Sequence, residues 1–175
     1  MIDLEGLLLP ADWPGDAVEK EARRIYFEEL VPNPPILPEI KGMQNLRLEI
    51  TATEGAFKHI FGESEGWTMY HHSKTGALDV ERMRRIRWIR AVLELQVKGT
   101  KIYVNYHSMK PREHGDRVSD EKKRIYVVTQ SGLLYFISLK YLPKSFVLTS
   151  AFEPEGRWIR EMLRKHQTTL LWPSP

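Results

Sequence analysis

The sequence predicts an α+β fold in which helices pack on an antiparallel sheet of about four strands, with an N-terminal helical arm. Strand-like segments rich in β-branched and aromatic residues cluster between residues 101 and 152. Helical spacing of apolar residues occurs separately, in residues 15–30, 79–95 and 153–166. Because the strands form a run instead of alternating with helices, an antiparallel α+β arrangement is favoured over a parallel α/β one.

The N-terminal arm is predicted from two adjoining segments. Residues 15–30 space apolar side chains at helical intervals and place an acid in the first turn, where the helix dipole favours negative charge. Residues 31–42 contain four prolines, which lack backbone donors and exclude a helix, so they predict an extended strap. We therefore expect residues 1–42 to form an arm and residues 43–175 to form a single α+β domain.

The domain begins with a predicted strand and a short helix. Residues 45–51 alternate apolar and polar side chains with the period of a half-buried strand. A short helix follows between Thr53, which suits an N-cap, and Gly62. The next segment, residues 63–78, is polar and contains two glycines, so it predicts a loop.

The arginine-rich segment "RMRRIRWIR" lies in a predicted helix that begins after Asp79 and ends near Leu95. Its apolar stripe consists of Met83, Ile86, Ile89, Val92 and Leu93. Arg84 and Arg87 lie on a different side of the helix from the stripe, while Trp88 sits beside both sides. Most of the arginines can therefore face water or a ligand while the helix packs.

Four further strands and a helix complete the predicted domain. The strand segments are residues 101–107, 123–130, 133–140 and 144–152. The dipeptide "SG" between the second and third is a hairpin signal. A charged, turn-rich stretch separates the first two and predicts a loop. The last helix, residues 153–166, is followed by a tail with prolines.

Composition limits the possible classes of protein. The chain has no cysteine, which excludes disulfides, a thiol nucleophile and thiolate metal ligands. Its start lacks the pattern of a signal peptide, and no apolar run approaches the roughly 20 residues that span a bilayer. We therefore expect a cytoplasmic protein with no membrane segment. The phosphate-binding, dinucleotide, zinc-helix and nucleophile-elbow motifs are missing, so we expect no metal site and no cofactor.

Charge is distributed unevenly along the chain. Residues 1–45 hold four basic and nine acidic side chains, whereas residues 79–125 hold 13 basic and seven acidic ones. The net charge of +3 therefore conceals a basic second half. Such asymmetry is typical of a nucleic-acid or other polyanion partner, although a solvated surface produces the same pattern.

Several segments occur in a characteristic order: "HIFGE", the helix "RMRRIRWIRAVLE", the strand "KIYVNY" and the hairpin "KRIYVVTQSGLLYFISLKYL", followed by "TSAF" and a helix. Together they resemble the phage-associated branch of the barnase/EndoU/colicin/RelE-like nuclease superfamily. The resemblance covers about residues 46–165 and leaves the arm unexplained. It implies a helix pair on a four-stranded antiparallel sheet, with metal-independent RNA cleavage in some members and no demonstrated catalysis in others.

Metal-free RNA cleavage would require a base, an acid and cations that stabilise the phosphorane. His59 is the candidate base or acid because histidine titrates near neutral pH, although a histidine beside Phe57 and Phe61 is also a common structural residue. The other candidate catalytic residues are Arg84, Arg87, Arg124 and Thr149. Arginine suits the phosphate oxygens, and the threonine hydroxyl could hold a phosphate oxygen or orient the histidine.

A second set of residues is expected to contact nucleic acid. The candidates are Arg85, Arg90, Lys101, Lys123, Tyr126 and Tyr135. The cations would bind phosphates, and an exposed tyrosine on a basic sheet can stack on an unpaired base. Long cationic side chains also cover neighbouring apolar groups, and most strand aromatics simply pack, so a purely structural role remains open for each.

Three functions are compatible with the sequence. The first is a toxin-type, metal-independent endoribonuclease that cleaves RNA by attack of the 2′-hydroxyl. The second is a non-catalytic nucleic-acid-binding module of the same fold. The third is a phage-encoded protein-interaction factor whose basic helix meets an acidic protein. The expected partner is RNA, and a toxin would also have an inhibitor (antitoxin) protein.

Overall fold

The computed structural model describes residues 2–38, 47–65, 73–107, 122–129, 133–142, 145–165 and 169–172. Over these residues the protein is an α+β structure with five α-helices, which confirms the predicted class. The helices are α1 (Gly15–Arg24), α2 (Glu54–Phe61), α3 (Val80–Arg84), α4 (Ile86–Leu93) and α5 (Gly156–Lys165). A π-helical segment, Ile25–Leu30, continues α1.

The central sheet has six strands and is larger than the four-stranded sheet predicted. Its strands are β1 (Arg47–Glu49), β4 (Lys101–His107), β5 (Lys122–Val128), β6 (Phe136–Leu142), β7 (Ser145–Phe152) and β8 (Thr169–Trp172). They lie in the order β1-β7-β6-β5-β4-β8. The sheet is mixed, because β1 pairs in parallel with β7 while the remaining neighbours are antiparallel.

The expectation of a purely antiparallel sheet was wrong because the edge strand β1 pairs in parallel with β7, and the sheet is larger than expected because β8 pairs with β4 at the other edge. β1 lies within the strand predicted over residues 45–51, but the order of strands along the chain does not reveal that it lies beside β7. β8 is four residues long, too short to show a reliable alternation of apolar and polar residues. The sequence predicted β1 and the central meander of β4, β5, β6 and β7 as strands, but neither β8 nor the parallel pairing of β1.

Two local predictions also need correction. Residues 63–78 do not form a simple loop: β2 (Gly62–Glu65) and β3 (Ser73–Leu78) pair as an antiparallel two-stranded sheet. The helix expected from Asp79 to Leu95 is divided into α3 and α4 at Arg85, whose backbone leaves the helical region (φ −93°, ψ 12°). The capping predictions are correct, because the side chain of Thr53 accepts a hydrogen bond from the Ala56 amide (3.2 Å) and that of Asp79 from the Arg82 amide (3.1 Å).

The central sheet is covered on both faces. On one face, alternate strand residues such as Ile125, Val127 and Leu139 join α1, α2 and α4 in the main hydrophobic core. On the other face, residues such as Val128 and Phe136 pack under α5 in a second, smaller cluster. The strands are therefore apolar on both sides over much of their length, which explains the run "IYVV" in β5.

The N-terminal helix contributes to the main core. Val18, Ala22 and Tyr26 are fully buried in it. The Tyr26 hydroxyl donates a hydrogen bond to the Thr51 carbonyl (2.9 Å), and its ring meets the Phe57 ring edge-on at 5.3 Å. The predicted boundary between residues 42 and 43 lies outside the described residues, so the division into arm and domain stays a prediction. The helix and the sheet nevertheless share one core.

This packing predicts that the N-terminal helix is required for stability. We expect Tyr26→Ala to lower the free energy of unfolding by about 3–5 kcal/mol, because it removes a buried ring and leaves a cavity. Urea denaturation measures this effect. Ile36→Ala is the control, since Ile36 is 81% exposed and its truncation should change little. Equal stability of the two variants would show that the helix does not pack as described.

Candidate nucleic-acid interface

Every arginine of "RMRRIRWIR" forms an ion pair. The pairs are Arg82 with Asp79 (3.3 Å), Arg84 with Glu81 (3.2 Å), Arg85 with Glu153 (2.7 Å), Arg87 with Glu21 (3.3 Å) and Arg90 with Glu94 (2.9 Å). Two of the acids, Glu21 and Glu153, come from distant parts of the chain. These cations are thus already paired within the chain, and the pairs of Arg85 and Arg87 connect the helices to other elements.

Arg84 connects α3 to the N-terminal segment. Its side chain is only 11% exposed. Its guanidinium donates hydrogen bonds to the carbonyls of Pro10 and Trp13, the latter at 2.8 Å, and its own carbonyl accepts from the Leu9 amide at 3.0 Å. A group held by these contacts is not available to a phosphate in this conformation, so the structure gives Arg84 a structural role.

Arg85 lies over the buried pair formed by Trp88 and Tyr135. Its guanidinium carbon is 5.4 Å from the centre of the Trp88 ring, which meets the Tyr135 ring edge-on at 5.2 Å. Both aromatic residues are almost completely buried. Tyr135 therefore has no surface on which a base could stack, and Trp88 belongs to the core.

Arg87 and Arg90 are more exposed but also contact the N-terminal region. Arg87 shares the Glu21 carboxylate with Arg24, and the hydrogen bond from Arg24 is the main reason that the pKa of Glu21 lies below its usual value. Arg90 donates to the carbonyl of Asn33. The acidic helix and the start of the proline strap thus lie against the basic helices.

His59 and Arg124 lie on opposite sides of the central sheet. His59 is exposed on α2, which packs with the main core through Phe57 and Ile60. Arg124 alternates with Ile125, a residue of that core, so its side chain points to the other face. The structure therefore does not bring together the predicted base and the predicted phosphate ligand on β5.

A cationic surface occupies the part of the second sheet face that lies beyond the apolar cluster under α5. Arg124 and Lys140 are directly opposite each other on β5 and β6. Arg47 shares this face, because it alternates with the core residue Leu48 on β1. Like charges in directly opposite positions destabilise a sheet unless an acid compensates them. Among the described residues, no acid forms an ion pair with any of these three cations.

We call Arg47, Arg124 and Lys140 the open cationic face. Lys140 and Arg47 are exposed, and Arg124 is half-buried. Half-buried Tyr103 lies on the same side of the sheet, and its hydroxyl can donate a hydrogen bond; burial raises the pKa of this hydroxyl further above neutral pH. Among the described strand residues, an acid also lies on this face: Glu49, an exposed residue of the edge strand β1.

The remaining predicted site residues are dispersed. The Thr149 hydroxyl donates to the Ser138 carbonyl (2.9 Å), next to an irregularity in the β6–β7 pairing, so it has a structural partner. Tyr126 is buried against Phe136, with ring centres 5.3 Å apart. Lys101 is half-buried opposite Val128. The side chain of Lys123 lies outside the described part of the chain.

Sequence reasoning missed Arg47 and Lys140 as members of this site. Lys140 was the last residue of a predicted strand, and Arg47 lay in a predicted strand of uncertain place in the sheet. The register of β5 against β6 would have placed Lys140 beside Arg124, but the pattern of one strand does not fix its register with another.

Within the described ranges, no helix is both long and apolar enough to cross a membrane. No group of three or more potential metal ligands occurs among these residues either. No protein-family model matches the chain, and no significant match exists among curated proteins or solved structures. The fold and the site define an α+β protein with a cationic sheet face, and its function is argued below from its own residues.

The contacts of Arg84 predict an effect on stability. We expect Arg84→Ala to lower the free energy of unfolding by about 1.5–3 kcal/mol, because the charged hydrogen bonds to two backbone carbonyls are lost. Arg87→Ala is the matched control, since Arg87 is 42% exposed and forms one ion pair at 3.3 Å. Chemical denaturation compares the two variants. An Arg84 variant as stable as the control would contradict the anchoring role.

The lowered pKa of Glu21 predicts a pH dependence of stability. A carboxyl whose folded-state pKa lies below its unfolded value of 4.5 stabilises the protein above that pH. This contribution is lost as the pH falls through the folded-state pKa. The stability difference between the parent and Glu21→Gln should therefore be largest near neutral pH and shrink below pH 4.5. Glu28→Gln, at an exposed position without an ion pair among the described residues, is the matched control and should leave the stability at neutral pH close to that of the parent.

Proposed function

We propose that this protein binds RNA through the open cationic face of its sheet. The observation that supports the proposal is the division of the cations between the two sides of the sheet. The arginines of "RMRRIRWIR" all form ion pairs within the chain, whereas Arg47, Arg124 and Lys140 form none within the described residues. Maintaining adjacent uncompensated cations lowers stability, so a polyanionic ligand is a physical reason for their presence.

The chemistry of the face suits a phosphate backbone. Arg124 offers a planar guanidinium that binds two phosphate oxygens at once, and Lys140 beside it adds a compact positive charge. The Tyr103 hydroxyl is on the same side of the sheet and suits the 2′-hydroxyl of RNA. DNA lacks that hydroxyl, so a preference for RNA over DNA of the same sequence is expected.

Binding is better supported than cleavage. Metal-independent cleavage requires a base close to the phosphate-binding cations. His59, the candidate base, lies on the face of the sheet that the main core covers, opposite the open cationic face. The Thr149 hydroxyl already donates to a backbone carbonyl. The endoribonuclease function, the resemblance to RelE-like nucleases and an inhibitor partner stay predictions. Cleavage would produce 2′,3′-cyclic phosphate ends in the presence of chelator.

The third function, docking of a basic helix on an acidic protein, has less support. Its expected surface was the arginine side of α3 and α4, but the chain's own acids already occupy it, Glu21 and Glu94 among them. A partner would have to displace these ion pairs before it could bind. The open cationic face requires no such displacement.

The proposal predicts a specific loss of RNA binding. We expect Arg124→Ala with Lys140→Ala to lower the slope of log K against log salt by about 1.4, because each lost phosphate contact on a single strand contributes about 0.7. At 0.1 M salt this corresponds to an affinity about 25-fold weaker. Fluorescence anisotropy with a labelled RNA over a range of salt concentrations provides the measurement.

The control variant removes the same charge from the side of the sheet that carries α1 and α2. Lys20→Ala with Lys58→Ala changes two exposed lysines on α1 and α2, so its net charge equals that of the test variant. Its salt slope should match that of the parent. Equal losses in both variants would indicate only a dependence on net charge. A parent protein that does not bind RNA would refute the proposed function.

A further inference from the structure

Helix α5 lies on the same side of the sheet as the open cationic face. Ile159 and Met162 on its inner side are buried with Phe136 and Phe152 of β6 and β7. The Phe136 ring also meets the Trp158 ring edge-on at 5.2 Å. The contacts attach α5 firmly to the sheet and fix which of its residues face solvent.

The outer side of α5 contains two kinds of arginine. Arg157 is 83% exposed and pairs with Glu161 at 2.9 Å. Arg160 and Arg164 are also exposed, but neither forms an ion pair within the described residues. They are four residues apart, so they lie one above the other on the helix surface, separated by a rise of about 6 Å. Like charges at this spacing destabilise an isolated helix.

These two arginines add to the cations of the open cationic face that form no ion pair within the described residues. Arg160 and Arg164 on the helix and Arg124 and Lys140 on the strands are cations without a described acidic partner, and both pairs lie on one side of the molecule. The arginines of α3 and α4 are paired. One polyanion lying on this side could therefore contact both groups.

We propose that Arg160 and Arg164 form the second half of the binding surface and that the ligand is single-stranded RNA. The inference rests on the proposed function. The two halves lie at different heights, because a helix and its side chains stand about 10–12 Å thick on the sheet. A flexible single strand can descend from the outer side of α5 to the open cationic face. A duplex, whose persistence length is about 150 base pairs for DNA, is too stiff to follow such a step.

The test compares Arg160→Ala with Arg164→Ala against the parent, using labelled oligouridylate of 20 nucleotides. We expect the salt slope to fall by about 1.4 and the affinity at 0.1 M salt to weaken about 25-fold. Combining all four substitutions should lower the slope by about 2.8. Arg157→Ala is the matched control, since it removes an arginine of the same helix that already has an acidic partner.

The outcomes separate the inference from the proposed function. If the Arg124 and Lys140 variant loses affinity while the Arg160 and Arg164 variant binds like the parent, the surface ends at the sheet and the inference fails alone. An Arg157→Ala protein that loses as much would also overturn it. A 20-base-pair RNA duplex that binds as tightly as the single strand would refute the choice of ligand. A parent that binds neither RNA would refute both proposals.

Discussion

The burial of α4 between the sheet and the N-terminal helix is the constraint on which the other features depend. All six of its apolar residues are at most 2% exposed, including Trp88 and Ala91, which the apolar stripe does not contain. A helix buried around so much of its surface leaves its arginines at the margins, where they meet the elements packed beside it. The ion pairs of Arg85 with Glu153 and of Arg87 with Glu21 follow from that position.

The same packing explains why the two sides of the sheet differ electrostatically. The acidic first part of the chain lies against the basic helices, so their opposite charges compensate each other over short distances. On the other side, the sheet and α5 meet through apolar and aromatic residues such as Phe136 and Ile159. Among the described residues, cations at the border of this packing, such as Arg124 and Lys140, form no ion pair.

The sequence predicted the individual helices and strands better than it predicted which strands lie side by side. The central strands and the caps at Thr53 and Asp79 were identified because strand alternation and capping are local patterns. The position of β1 beside β7 depends on contacts between residues roughly a hundred positions apart, which no local pattern reports. The break at Arg85 was also missed, because no proline or glycine marks it in the sequence.

The residues of the candidate site were also difficult to predict from local sequence patterns. Helical periodicity correctly separated the arginines of α3 and α4 from the apolar stripe, but facing away from the core is not the same as facing solvent. Arg84 lies outside the apolar stripe, but its guanidinium donates hydrogen bonds to two backbone carbonyls of the N-terminal segment. Whether a cation can bind a ligand depends on which acids and carbonyls the fold brings to it. Lys140 is the opposite case. The pattern of its own strand does not mark it as a ligand-binding residue, and it becomes a candidate only because Arg124 lies directly opposite it on β5. Our proposal therefore rests on the cations that lack an acidic partner among the described residues, and not on the densest run of arginines.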